Sequence, residues 1–376
     1  MPYLNQNNER ITELDGLRGM AIFATVIYHY TNNLINADAS NYHLLLKSLT
    51  QFFYTCLDMF FILSGFLLGG ILLRYKNSPN YFKAFYARRF FRIVPLYLFL
   101  LVSVLIICLF NIGRGTTWWF NPEIPYWAYF TFTQNIFMGI KNTLGNHWLI
   151  PTWSLGVEEQ FYLIVSVLIF FTSRKYLVFI LLLGMICSPV FRYYYVTSGS
   201  TAEAYPLSFS AFLHCRLDSL FGGILLAVIH QNAKAFNWVK QHHQILYLLV
   251  AIHIGITFLF SIGKWHIQIY WVYSWFGFIY MLILLLVLAH PNNVFARLSR
   301  IPFFVNLGLY SYSIYLFHEL ILGLFFFLIP KKLPQINSLL DLAMVVFCTV
   351  LTYFFARFVY LNFEKKFMAM GHSIKY

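Results

Sequence analysis

The sequence predicts an all-α, polytopic integral membrane protein with about ten transmembrane helices and both termini cytoplasmic. Three observations carry this reading. Of 376 residues, 60% are hydrophobic and only 10% are charged, whereas soluble domains carry about 25% charged residues. The apolar residues gather into stretches of the roughly 20 residues that cross a bilayer core. The 26 Lys and Arg lie unevenly about those stretches, as positive-inside topology requires. With 42 Phe, 27 Tyr and 9 Trp, the chain is far too aromatic to be disordered or collagenous.

The expected spans, in order, are 14–31, 52–73, 93–110, 155–171, 176–195, 213–229, 244–262, 269–289, 307–329 and 338–360. The first follows a polar segment, Met1–Glu13, and has no small-residue cleavage pattern, so it reads as a retained span and not a signal peptide. The second contains Asp58 and the small pair Ser64 and Gly65, which let a neighbouring helix approach. Before the third lies the most basic connection, with Arg74, Lys76, Lys83, Arg88, Arg89 and Arg92 among aromatics. Between the third and fourth, the connection 111–154 contains Trp118, Trp119, Trp127, Trp148 and Trp153. Indole favours the headgroup level, so this segment is expected at the interface, with 126–140 as an alternative partial span. The remaining spans are joined by short polar connections.

Placing the N-terminus in the cytoplasm puts sixteen Lys and Arg on the inner side and six on the outer. The net charge of +13 is thus explained by topology, and no nucleic-acid partner is expected. The chain reads as a single membrane-embedded domain, 1–376, with no separate water-soluble unit. The cysteines Cys56, Cys108, Cys187, Cys215 and Cys348 are odd in number and widely spaced in apolar surroundings, so packing is expected instead of disulfides or a metal site.

An ionisable side chain inside a span costs about 2.5–3.5 kcal/mol on insertion scales and marks function by default. Here these are Arg18, His29, Asp58, Glu158, Glu159, Arg216, Asp218, His318, Glu319, Asp341 and Arg357. Arg18 and His29 are eleven residues apart, which on a helix places them on one face with a rise of about 16 Å. Their bland alternatives are snorkelling and an interhelical hydrogen bond. Arg89 and Arg92 are three apart and share a helix face, so they can clamp a phosphate; lipid binding is the alternative. Pro95 follows within a turn and can kink that helix. Ser154 reads as an N-cap, and at least one of Glu158 and Glu159 must face the bundle, near enough to orient His29. Asp58 needs a partner, for which an arginine is economical, and Arg216 and Asp218, two apart, should pair with other spans.

From Leu14 to about Phe367 the chain resembles the acyltransferase 3 family of multi-spanning membrane O-acyltransferases. The resemblance rests on Leu14-Asp15-Gly16-Leu17-Arg18-Gly19 followed by His29, Asp58–Phe66, Arg89–Pro95, Trp153–Tyr162 and Arg216-Leu217-Asp218 in the family's order. The segment with Tyr312, Ser313, Tyr315, Leu316 and His318 and the run Glu364–Phe367 look like the family's closing elements. The resemblance implies transfer of an acyl group, most often acetyl, from cytoplasmic acyl-CoA to a hydroxyl of a carbohydrate or glycolipid acceptor such as a surface polysaccharide, at the bacterial inner membrane. It implies essential roles for Arg18 and His29, implicates Glu158, and associates Arg89 and Arg92 with the donor, to which neighbouring Arg88 is added. Asp58, Ser64, Trp153, Ser154, Glu159, Arg216, Asp218 and His318 are expected to support the site. Some family members continue into an extracytoplasmic hydrolase-like domain, which is not expected here. No bound cofactor is expected, acyl-CoA being a substrate.

A neutral imidazole is suited to take the acceptor's proton, so His29 is the expected base, oriented by Glu158, with Arg18 positioning the donor. A covalent acyl-histidine route stays open. The rival classes are a glycan or lipid exporter, against which the absence of internal symmetry argues, and a non-catalytic membrane scaffold.

Overall fold

A computed structural model describes residues 11–35, 41–110, 123–198, 207–262, 269–328 and 334–376. Among the described residues the only pairing of extended backbone is an isolated bridge in which Ile336 donates to the Leu34 carbonyl at 2.8 Å; all else regular is helical. The helices are α1 (Thr12–Thr31), α2 (Asn41–Thr50), α3 (Cys56–Arg74), α4 (Tyr81–Leu109), α5 (Tyr126–Phe130), α6 (Gln134–Lys141), α7 (Thr152–Phe171) and α8 (Arg174–Ser198). They continue with α9 (Ser208–Ala211), α10 (Leu217–Gln231), α11 (Ala233–Gln241), α12 (His243–Ile262), α13 (Ile269–Ala289), α14 (Val294–Ser299), α15 (Pro302–Phe327), α16 (Leu339–Val359) and α17 (Lys365–Ser373).

Among the described residues eight helical stretches are long and apolar enough to cross a membrane, and the chain is a multi-pass membrane protein. The other two expected spans, 14–31 and 213–229, fall on α1 and α10; the first carries Glu13, Asp15 and Arg18, and the second is 15 residues long. The segment 126–140 resolves into α5 and α6, of 5 and 8 residues, each too short to span. The indoles of the tryptophan-rich connection do not all face outward. Trp127 is exposed, but Trp148 is buried in the main core; Trp118 and Trp119 fall outside the described residues.

The basic connection before the third span is itself helical. Pro79 ends the turn after α3, and with no Gly or Pro from Tyr81 to Val94 the chain coils straight into α4, 29 residues long. Pro95 removes the hydrogen bond that the Phe91 carbonyl would accept inside that helix. The start of α4 is fixed on α7: Tyr81 donates to the Ser166 carbonyl at 2.9 Å, Tyr86 meets Ser166 Oγ at 2.6 Å, and Lys76 donates to the Thr172 carbonyl at the negative end of α7.

Two close helix contacts set the geometry of the core. A Cβ on Gly19 would overlap the Phe304 carbonyl and one on Gly308 the Asp15 carbonyl, so α1 and α15 touch backbone to backbone. Gly65 and Gly223 do the same for α3 and α10, each opposite a carbonyl of the other helix. An alanine at any of the four must push a helix away, an overpacking that costs about 1–3 kcal/mol. Asp341, counted above among intramembrane charges, closes a cap at the start of α16: Ser338 Oγ donates to its carboxylate at 2.9 Å and accepts from its backbone N–H. All five cysteines are free thiols.

Candidate active site

Five helices, α1, α3, α4, α7 and α15, wall a cavity. From α1 comes Arg18, which the buried Asp15, one turn earlier, holds at 3.5 Å. The glycines of the Leu14–Gly19 segment press one face of α1 against α14 and α15, leaving Arg18 to the cavity. Helix α4 adds Arg89 and Arg92, and α7 adds Ser154 and Glu158. The Tyr162 hydroxyl donates to Glu158 Oε2 at 2.6 Å and lies 3.0 Å from Ser64 Oγ of α3. The α15 wall is Ser311, Tyr312 and Tyr315, with Tyr312 fixed by donating to the Ile93 carbonyl at 2.8 Å. Three guanidinium groups and one carboxylate in a largely apolar channel favour an anionic guest with an extended uncharged arm.

Beyond Tyr315 lies a second constellation. His318 is fully buried, and its Nδ1 faces two carbonyls, Tyr315 at 2.8 Å and Ile314 at 3.2 Å, so Nδ1 carries the proton. Its Nε2 therefore accepts, and the donor is His29 Nδ1 at 2.8 Å. The same His29 nitrogen lies 3.1 Å from Glu319 Oε1. With its Nδ1 protonated between two acceptors, neutral His29 bears its lone pair on Nε2, which makes no hydrogen bond among the described residues. The His29 side chain is 19% exposed. Tyr30 donates to the His318 carbonyl at 2.6 Å and meets Thr352 Oγ1 at 3.2 Å, tying α1, α15 and α16 together behind the pair. From the turn before α7, His147 feels the Glu319 charge; its burial nevertheless holds its pKa below the usual imidazole range.

The carboxylate that orients His29 is therefore Glu319, not Glu158. Glu158 is six residues into α7, about 9 Å from the helix start, and lies beside Arg18, Arg89 and Arg92 in the cavity. Arg88 does not join the other two arginines. It is one residue off their face and donates from Nε and Nη2 to the Ile374 carbonyl at 3.0 and 2.7 Å, beneath the Tyr376 ring at 4.6 Å. Ser154 is not the N-cap of α7, which begins at Thr152; its hydroxyl meets the Tyr315 hydroxyl at 2.6 Å.

Asp58, Arg216 and Asp218 form a separate buried network. Arg216 lies 3.4 Å from Asp58 and stacks 3.6 Å from the Tyr273 ring centroid, and Asp218 pairs with Arg192 at 2.7 Å. Ser219 and Ser274 complete both carboxylates. Trp153 sits 5.4 Å from Arg216 and belongs to this network, which knits α3, α8, α10 and α13 and lines no part of the cavity. Glu159 is also absent from the cavity wall, and its Oε1 is buried without a hydrogen-bond partner among the described residues.

Residues 11–359 match the acyltransferase domain of the acyltransferase 3 family. The chain belongs to that family. Among relatives of this acyltransferase 3 protein, the O-acetyltransferase candidate SACOL0978 of Staphylococcus aureus (strain COL) is 24% identical over 387 residues, covering 95% of this chain and 58% of its own. The O-acetyltransferase OatA of Staphylococcus aureus (strain NCTC 8325) is 22% identical over 382 residues, covering 94% of this chain and 57% of its own. The chain thus spans a little over half the length of these relatives. No solved structure matches it. Within this acyltransferase 3 chain, three site residues escaped assignment from sequence. Tyr315 and Tyr162 are tyrosines in a chain with 27 of them. Glu319 was visible as an intramembrane carboxylate, and its neighbour His318 was the clue.

Proposed function

We propose that this protein is a membrane O-acyltransferase that moves an acetyl group from acyl-CoA, bound from the cytoplasmic side of the bacterial inner membrane, to a hydroxyl of a carbohydrate-type acceptor. The observation that carries the reading is the joining of two sites along α1 and α15. One is an arginine-walled cavity, and the other is a histidine whose Nδ1–H is held by Glu319 and His318 and whose Nε2 is available. Acyltransferase family membership and the O-acetyltransferase names of the relatives support the same reading.

In this mechanism Arg18, Arg89 and Arg92 neutralise the donor's phosphates, and the pantetheine arm extends along the cavity toward Tyr315. His29 Nε2 takes the proton of the acceptor hydroxyl as its oxygen attacks the thioester carbonyl. The tetrahedral adduct collapses with cleavage of the C–S bond, the thiolate leaves, and the proton on His29 passes to it. The Glu319 carboxylate stabilises the transient imidazolium, and His318 keeps the imidazole in the correct tautomer. The Lys and Arg asymmetry supports placing the α4 arginines in the cytoplasm. The test is purified protein in proteoliposomes with acetyl-CoA labelled in the acetyl group and a soluble glycan. Label should move to the glycan with wild type and not with His29→Ala; equal transfer by both refutes the assignment.

A further inference from the structure

The cavity and the His29 cluster do not communicate openly. His29, His318 and Glu319 line no part of the cavity wall, whereas Tyr315, one turn before His318 on α15, does. The Tyr315 ring centroid lies 6.0 Å from that of His318 on one side and 6.5 Å from Phe60 on the other. Its hydroxyl is held across the channel by the opposite wall, donating to the Pro151 carbonyl at 2.8 Å and sharing a 2.6 Å contact with Ser154 Oγ. Ser154 Oγ in turn reaches the Pro151 carbonyl at 3.2 Å. The Tyr315 ring, held by Ser154 of α7 and by the Pro151 carbonyl just before that helix, thus stands in the wall of the arginine-lined cavity on the side of His318.

We infer that Tyr315, latched by Ser154 and the Pro151 carbonyl, is the acyl-chain selectivity gate of the donor channel. The inference rests on the proposed donor reading above. For the acyl group to reach His29 Nε2, the latch must release and the ring must turn aside by no more than the packing of Phe60 and His318 permits. That aperture suits a two-carbon acyl group and rejects longer ones by steric exclusion. With no thioester present the latch closes the channel, and with a thioester waiting it limits the entry of water. Where water does enter, its oxygen bonds to the thioester carbonyl, the C–S bond breaks, and the proton taken by His29 ends on the departing thiolate, giving acetate and free CoA.

The test uses full-length protein in proteoliposomes supplied with acetyl-, propionyl- and butyryl-CoA, each alone and in competition, with and without glycan acceptor. Wild type should prefer acetyl over butyryl by at least tenfold in kcat/KM. Tyr315→Ala should reduce that ratio tenfold or more. Tyr315→Phe keeps the ring and loses the latch; its acyl-length ranking should stay wild type while acceptor-independent acetyl-CoA hydrolysis rises about fivefold or more. Ser154→Ala should repeat the Phe result, which guards against misfolding of the alanine variant. An unchanged acyl ranking in Tyr315→Ala, or unchanged hydrolysis in both latch variants, overturns the gate. If wild type consumes no acyl-CoA of any length, the donor reading itself fails, a result distinct from failure of the gate.

Discussion

Replacing Glu319 by glutamine keeps the volume of the side chain and removes its charge, so it isolates the electrostatic support given to His29. Glu319 Oε1 stands 3.1 Å from His29 Nδ1. At an effective dielectric constant of about 20, unit charges that far apart attract by about 5 kcal/mol, an upper value equivalent to roughly 10⁴-fold in rate. The His29 side chain is 19% exposed and that of Glu319 11%, so water takes a share of the interaction. The expected loss in kcat is then about 10²–10³-fold, within the range that general acid–base catalysis supplies. Because Glu319 lines no part of the arginine-walled cavity, the KM for acetyl-CoA should change less than threefold if that cavity holds the donor, as proposed above. The assay is initial-rate acetyl transfer in proteoliposomes at saturating acceptor, with donor concentration varied. A Glu319→Gln enzyme within threefold of wild type in kcat, or one whose whole defect lies in donor KM, would refute the assignment of Glu319 as the partner of His29.

Arg89→Ala and Arg92→Ala should each raise the donor KM about tenfold or more, since a charge-assisted hydrogen bond is worth about 1.5–3 kcal/mol; Arg88→Ala, which removes only a contact that steadies α4, should raise donor KM by less than either and lower thermal stability in detergent. Asp58→Ala leaves Arg216 buried without its carboxylate and should destabilise by about 3–5 kcal/mol, read as a drop in Tm, whereas a Tm within a degree of wild type contradicts the network. Gly223→Ala should also lower Tm, because its Cβ meets the Ile62 carbonyl. Chelation with EDTA should leave transfer unchanged. Although His29, His318 and Glu319 gather their donor atoms closely, the 2.8 Å between the two imidazole nitrogens fits a shared proton. A tetrahedral ion with bonds of about 2.0–2.1 Å would hold them roughly 3.3 Å apart. Loss of activity on chelation, restored by added metal, would reverse that assignment.

The helical membrane architecture was legible because bilayer crossing leaves a signal of length and apolarity that needs no knowledge of neighbours. Pairings between spans were legible only as needs. Asp58 called for an arginine and Arg216 supplied it, but nothing in either helix's sequence selects one partner from several. Glu158 was expected to orient His29 from its depth along its own helix, and depth is blind to rotation; Glu319 was counted only as an intramembrane carboxylate. Arg88 was misread for a similar reason. It neighbours Arg89 in sequence, yet the roughly 100° between adjacent helical residues turns it to another surface. Tyr315 carried no charge to mark it, and its place between two sites exists only after α7 and α15 are packed.

The contact of Arg88 with Ile374 joins residues 286 positions apart. Tyr376 adds to it by stacking on Tyr75 at 4.3 Å between ring centroids, and Gly371 lies against α4 at Arg88 and Phe91. The helix that offers Arg89 and Arg92 is thus steadied by a segment translated long after it. Because α17 is made long after α4, these contacts cannot form until α17 has been synthesised. Contacts of such long sequence separation form late in folding. Donor affinity should therefore be among the last properties a nascent chain acquires, and shortening the chain before Gly371 should weaken donor binding while leaving His29 and its partners intact.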